Sequence, residues 1–229
     1  MNTAKKYKKE DSNIQIVQVN SYLGAEVRGL NLSKKLNKQE IGIIESQLAR
    51  YSVLVFRDQP MTGEQLMQFG KNFGQLSVHP FSPNDKKNPA LILFKNDKTT
   101  PPWKTDVWHS DETFRKIPPF ATMLHALDVP KFGGDTMFVS MTAAYEGLSD
   151  RMQHYLSGLE AYHDFIVFKD VFGKTPNGRK KLREYERDYP PTLHPVIAEH
   201  PITKKKLVFV NPQFTVKIDG MDDSESQQV

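Results

Sequence analysis

Apolar and polar residues alternate from Ile14 to Val19, the period-two pattern of a half-buried strand, and this is the first element the chain predicts; residues 1–12 before it read as a disordered leader. Asn37 followed by Glu40 has the spacing of a capping box, after which Ile41, Ile44 and Leu48 fall on one helical face, so a helix is expected over about 38–50. Ser52–Arg57 (SVLVFR) is a short β-rich run suited to a buried strand. Thr62 and Gln65 repeat the capping signal and open a second helix reaching about Asn72.

Beyond Leu91 the texture changes from α/β to short strands broken by Gly and Pro: the apolar LILF run, Ala121–Ala126 and Thr136–Ser140, with Pro101, Pro102, Pro130 and Gly133-Gly134 between or beside them. Such spacing suggests antiparallel pairing in a sandwich or barrel. Thr142–Gly158 reads as helical, with Ser149 as the cap of its second half. Lys169–Pro191 is charged and poor in apolar residues, which predicts a mobile excursion or lid. His194–Ala198 and Leu207–Asn211 read as strands joined by a turn at 201–205, and Asp222 or Asp223 caps the start of a further helix. The chain ends as though something should follow. The expected fold class is α+β, with one domain over residues 13–229 that is incomplete at its C-terminus.

Composition narrows the chemistry. With 38% hydrophobic and 25% charged residues the chain is an ordinary globular one. Its net charge of +4 sits mainly in the lysine runs at 5–9 and 204–206, with no interleaved aromatic signature, so nucleic-acid binding is not expected, although a mildly basic surface attracts small anions. The absence of cysteine removes thiolate ligands and thiol nucleophiles; any metal must be held by His, Asp or Glu. No apolar run is long enough to span a membrane and the N-terminus is polar, which predicts a cytoplasmic protein.

The most informative segment is Trp108-His109-Ser110-Asp111. On an extended strand, residues two apart project to the same side, so an imidazole and a carboxylate can face one metal. They are two of the three ligands of the facial triad, which leaves positions on Fe(II) for a bidentate co-substrate and oxygen. Taken alone, His-x-Asp is more often a surface hydrogen-bonding pair.

The surroundings carry more. Trp108–Phe114 (WHSDETF), Pro118-Pro119, Gly133–Thr136 (GGDT), Leu54–Gln59 (LVFRDQ), Phe73–Pro80 (FGQLSVHP), His163-Asp164-Phe165 and His194–Phe214 together resemble the taurine dioxygenase family, in the family's order from about Val17 to Met221. That resemblance implies a double-stranded β-helix (jelly roll) core with flanking helices, its last strands apparently missing. It implies Fe(II), 2-oxoglutarate and O2 as reaction partners, with succinate and CO2 released as a carbon beside a heteroatom is hydroxylated. His109 and Asp111 would be iron ligands, Thr136 would hydrogen-bond the distal carboxylate of 2-oxoglutarate, His79 would contact the acidic head of the substrate, and Phe214 would wall its pocket.

Two departures point away from taurine itself: Ser82 stands where taurine enzymes carry Tyr, and Thr105 where they carry Asn. The expected substrate is therefore a small anionic organic molecule, namely another sulfonate, a sulfate ester or an aryloxy acid. The family's second iron-binding His and its 2-oxoglutarate-binding Arg lie beyond the last residue. His194 and His200 read as structural and His154 as a helix-surface residue. Self-association into a homo-oligomer is left open. The rival reading is a truncated or degenerate jelly roll that binds a ligand without oxidising it; a hydrolase with His109 as base is weaker, since no nucleophile motif accompanies it.

Overall fold

The computed structural model describes residues 13–82, 84–95 and 107–229. The leader, the Pro101-Pro102 loop and Thr105 lie outside the described residues. Two compact units result: one runs up to Leu76 and takes in Leu127–Ser140, and the other comprises the described residues of 77–126 with Met141–Val229.

In the first unit, β1 (Gln15–Gln18) pairs antiparallel with β2 (Ala25–Arg28), which pairs parallel with β3 (Leu54–Val55). A parallel pair cannot be closed by a tight turn, and α1 (Lys38–Tyr51) supplies the crossover. Its capping box forms as expected: Asn37 Oδ1 accepts from the amides of Gln39 and Glu40 at 2.9 Å, and Glu40 Oε2 accepts from Asn37 N at 2.8 Å. Ile44 then turns into a core with Val27, Leu30, Leu32, Leu36 and Phe69. The capping box at Thr62 and Gln65 opens α2 (Gly63–Gly70), continued by a 3₁₀ turn to Phe73. The strand expected at 52–57 shrinks to two residues because Ser52 is taken up at φ 63° in closing α1, its amide donating to Leu48 O.

In the second unit, α3 (Met141–Glu146) and α4 (Asp150–Leu156) meet at the break that Ser149 caps, as expected. β4 (Glu160–His163) follows, then α5 (Ile166–Gly173) and α6 (Pro176–Asp188). Next come β5 (Thr192–Pro195), β6 (Ile197–Glu199), β7 (Lys206–Val208) and β8 (Thr215–Ile218), and α7 (Asp223–Gln228) begins on the predicted Asp222 cap. β4 lies between β5 and β8, antiparallel to both, while β6 and β7 form a separate hairpin. The single strand expected at His194–Ala198 is split at Val196, whose amide donates to Leu159 O and whose carbonyl accepts from Phe209 N.

Two expectations fail. The 169–191 excursion is mostly helix: Thr175 caps α6 ahead of Pro176, and Phe168, Phe172, Tyr185 and Tyr189 pack on Phe81, Phe114, Phe165 and Phe214. The aromatics recur at helical spacing of four, which the density of charge around them conceals. Second, the strands expected at 91–94, 121–126 and 136–140 are not built. The first region has only an Asn84–Ile92 bridge, and the other two are extended without a ladder among the described residues. A β-rich sequence needs a hydrogen-bonded neighbour to become a strand. No helix among the described residues is long and apolar enough to cross a membrane.

Gly29 and Gly24 separate two costs of a side chain. Both have positive φ, 85° and 89°, but a Cβ on Gly29 would meet Asn13 O at 2.2 Å, whereas one on Gly24 has no neighbour nearer than Val19 Cβ at 3.7 Å. Gly24→Ala is expected to cost about 1–2 kcal/mol, the left-handed penalty alone. Gly29→Ala should cost more, because the start of β1 must also move; urea midpoints of the two variants check the order.

Candidate metal centre

His109 and Asp111 do not stand on a strand, as expected from spacing, but on a segment without regular secondary structure that enters a turn at Asp111. They converge all the same: His109 Nε2 lies 3.4 Å from Asp111 Oδ1. Glu112, the next residue in the turn, adopts φ 52°, a left-handed conformation uncommon for a residue with a Cβ.

Partners on the far side of each group set its orientation. His109 Nδ1 lies 2.7 Å from Val107 O and can only donate to it, so in the neutral ring the Nε2 lone pair points at Asp111. Asp111 Oδ2 accepts from Thr122 Oγ1 at 2.6 Å, leaving Oδ1 to face the imidazole. Two lone-pair atoms opposed in this way require a cation between them, either a proton or a metal. The hydrogen bond with Asp111 raises the His109 pKa, and the bond with His109, aided by Thr122, holds the Asp111 carboxyl below its usual range.

The donor set fits a first-row divalent metal: one imidazole nitrogen anchored through its other nitrogen, and one carboxylate oxygen anchored through its other oxygen. Among the described residues no group of three or more His, Cys, Asp or Glu gathers around one point, so His109 and Asp111 stand as a pair of donors.

The turn after Asp111 is tied down. Glu112, buried, pairs with Arg115, and burial raises its pKa despite that pair. Arg115 also donates from Nη2 to Val78 O at 3.0 Å and lies over the rings of Phe114 and Tyr189. It thereby links the metal loop to the loop carrying His79.

His79 Nδ1 accepts from Phe81 N at 3.1 Å and lies 2.9 Å from Ser82 Oγ, so the ring proton of the neutral form is on Nε2. Burial, with a contribution from nearby Arg115, lowers its pKa to about 4. Ser82, the residue that departs from the taurine enzymes, thus acts on His79. Phe214 is buried in the aromatic cluster, 5.5 Å from the Phe114 ring, and is fixed by Asn211 Oδ1 accepting from its amide. Thr136 lies in the other unit, on the exposed extended stretch before Ser140. His194 and His200 are structural as expected: His194 Nε2 donates to Arg115 O, and His200 Nδ1 accepts the amides of Ile202 and Thr203 in a turn. His154 is exposed on α4.

Sequence reasoning missed Thr122, Glu112 and Arg115. Glu112 falls inside the WHSDETF block, whose residues 112–114 are all buried although two of the three are polar; Arg115 and Thr122 lie outside that block.

The profile of the "Taurine catabolism dioxygenase TauD, TfdA family" matches residues 15–229. An alpha-ketoglutarate-dependent dioxygenase of Penicillium expansum is 30% identical over 92% of this chain and 61% of its own length. An alpha-ketoglutarate-dependent sulfonate dioxygenase of Saccharomyces cerevisiae is 27% identical over 94% of this chain and 53% of its own. The chain therefore spans between half and two thirds of these relatives. The crystal structure of a taurine dioxygenase from Burkholderia xenovorans superposes with a TM-score of 0.73 at 30% identity, covering 94% of this chain and 69% of that one.

The paired shifts predict a pH window. His109 is raised from 6.5, so its share of stability is complete below that value and is lost as pH rises through the folded pKa; Asp111 is lowered from 3.8, so its share is present above that value and lost as pH falls through the folded one. The pair therefore stabilises most between the two, weakly because both side chains are partly exposed. In chelator-treated protein, Asp111→Asn should lower the His109 pKa, as read from ring resonances by NMR.

Proposed function

The chain belongs to the taurine catabolism dioxygenase TauD, TfdA family, and on that premise we propose that the protein is an Fe(II)- and 2-oxoglutarate-dependent dioxygenase that hydroxylates a small anionic organic substrate, releasing succinate and CO2. The observation that carries the reading is the opposed pair of His109 Nε2 and Asp111 Oδ1 at 3.4 Å, each group anchored from behind. As part of the same proposal, β4, β5 and β8 with the β6–β7 hairpin belong to a jelly-roll core, supported by the likeness to the Burkholderia structure, and the reaction is cytoplasmic.

When bound, Fe(II) with 2-oxoglutarate and O2 supplies the oxidising chemistry; the chain supplies geometry and a dry wall. His109 and Asp111 would hold the metal, and Val107 and Thr122 keep their lone pairs aimed. His79, neutral above about pH 5, offers an Nε2–H to an anionic head as a hydrogen bond rather than an ion pair. Phe114, Phe81 and Phe214 form an aromatic cluster suited to excluding water near the His79 loop. Thr136 is assigned to the distal carboxylate of 2-oxoglutarate on the strength of its GGDT motif alone. Sulfonates, sulfate esters and aryloxy acids remain the substrate class, and the yeast relative's name supports the sulfonate member of it.

A non-catalytic binding protein is the second reading, favoured by the two-ligand count among the described residues. Succinate formation from 2-oxoglutarate with added Fe(II) separates the two. Turnover stimulated by one member of a panel of sulfonates, sulfate esters and aryloxy acids is expected, with Asp111→Ala and His109→Ala reduced to background. Absence of turnover across the panel counts against the dioxygenase. With an active substrate, KM should stay flat between about pH 5.5 and 8, since His79 titrates below that range; a KM inflection near 6.5 that vanishes in His79→Gln would contradict the neutral-donor role.

A further inference from the structure

Beneath the metal loop lies a closed set of hydrogen bonds that the proposed reaction does not use. Thr113 is 1% exposed and His163 0%, and they meet across 50 residues of sequence, with Thr113 Oγ1 2.9 Å from His163 Nδ1. Asn211 Nδ2 donates to the same hydroxyl at 3.2 Å. The hydroxyl therefore has one acceptor role filled, and its single proton goes to His163 Nδ1. The proton of the neutral ring is then on Nε2, which lies 3.3 Å from Thr215 Oγ1, an oxygen that also accepts from Asn211 N at 2.9 Å. Burial holds the His163 pKa down to about 4, so this one polarity persists through neutral pH.

The set also fixes the turn mechanically. Thr113 is held by His163 of β4, and two residues on, Arg115 O accepts from His194 Nε2 of β5 at 3.0 Å. The two histidine rings pack edge to face at 5.1 Å, and Phe209 stacks on His163. Glu112, at φ 52°, lies between Asp111 and Thr113 and sends their side chains different ways: Asp111 to His109 and Thr122, Thr113 into the interior. A non-glycine left-handed residue persists only where its surroundings over-determine it. The grip on Thr113 does this one residue away. Two apolar side chains of the same shape would be cheaper to bury than an imidazole and a hydroxyl; what the polar pair adds is direction.

We propose that Thr113 and His163 are positioning residues that set the direction of the Asp111 carboxylate from the buried side of its loop. The proposal rests on the reading of His109 and Asp111 as metal ligands.

The test is Mn(II) affinity by calorimetry on the full chain, with folding of each variant checked by circular dichroism. Thr113→Val keeps the shape and removes the hydroxyl, and His163→Leu removes the acceptor; each should weaken Mn(II) binding by about 10- to 100-fold, the range found for groups that orient ligands. Thr113→Ser restores the hydroxyl, and His163→Asn places an amide oxygen where Nδ1 was; both should stay within about threefold of wild type, a rescue that a merely space-filling role would not show. If Thr113→Val does not fold, the contrast between His163→Leu and His163→Asn decides. Wild-type affinity in Thr113→Val or His163→Leu, or equal loss in the Leu and Asn variants, overturns the proposal while leaving the metal site standing. Failure of wild-type protein to bind Mn(II), or binding that survives in Asp111→Ala, overturns the metal-site reading and this inference with it.

Discussion

Two electron-rich atoms held 3.4 Å apart, His109 Nε2 and Asp111 Oδ1, are the constraint around which the second unit is organised. Without positive charge between them they repel, and the repulsion is relieved only by a proton or a metal ion. A chain that keeps them opposed needs restraints on both, and these are present: the Val107 carbonyl behind one, the Thr122 hydroxyl behind the other, and a left-handed Glu112 turning the backbone after them. Each restraint alone is an ordinary contact. Together they fix the two groups face to face.

The restraints reach into the core because the turn is short. Four consecutive residues, Glu112 to Arg115, engage Val78, His163, Asn211, His194 and the aromatic cluster, so the loop is fastened on every side except the one His109 occupies. α5 and α6 extend the same packing, and Lys169 ties them to the site's margin by bridging Asp164 at 2.6 Å and Glu186 at 3.8 Å. What composition suggests as a loose lid is a helical wall on the aromatic cluster.

Local signals were the legible ones. Both capping boxes, the Ser149 and Asp222 caps and the alternation around β1 lie within a few residues of the structure they specify, and each forms as read. β4 and β8 were not seen, because four-residue strands such as Glu160–His163 gain their identity from partners 30 to 60 residues away. The strands expected at 121–126 and 136–140 failed for the complementary reason: the propensity is present and no ladder is. At the site, the motif block around His109 and Asp111, more than their spacing, makes the pair legible, and the two groups converge without the strand that the spacing suggests. Thr122, Glu112 and the Thr113–His163 contact were not legible, since a hydroxyl or a positive φ leaves no trace at the level of pattern.

Between Leu127 and Val139, Leu127, Val129, Phe132, Met137, Phe138 and Val139 are all more than half exposed, an apolar run with high β propensity and no ladder among the described residues. Such a segment is a template on which a foreign strand can add, and from there a seed for aggregation. Its interruptions act as gatekeepers: Pro130 has no amide to donate, Lys131 and Asp135 place charge beside the run, and Gly133 and Gly134 at φ 78° and 75° bend it out of the flat form that stacking needs. Resistance to such addition thus rests on five residues: Pro130, Lys131, Gly133, Gly134 and Asp135.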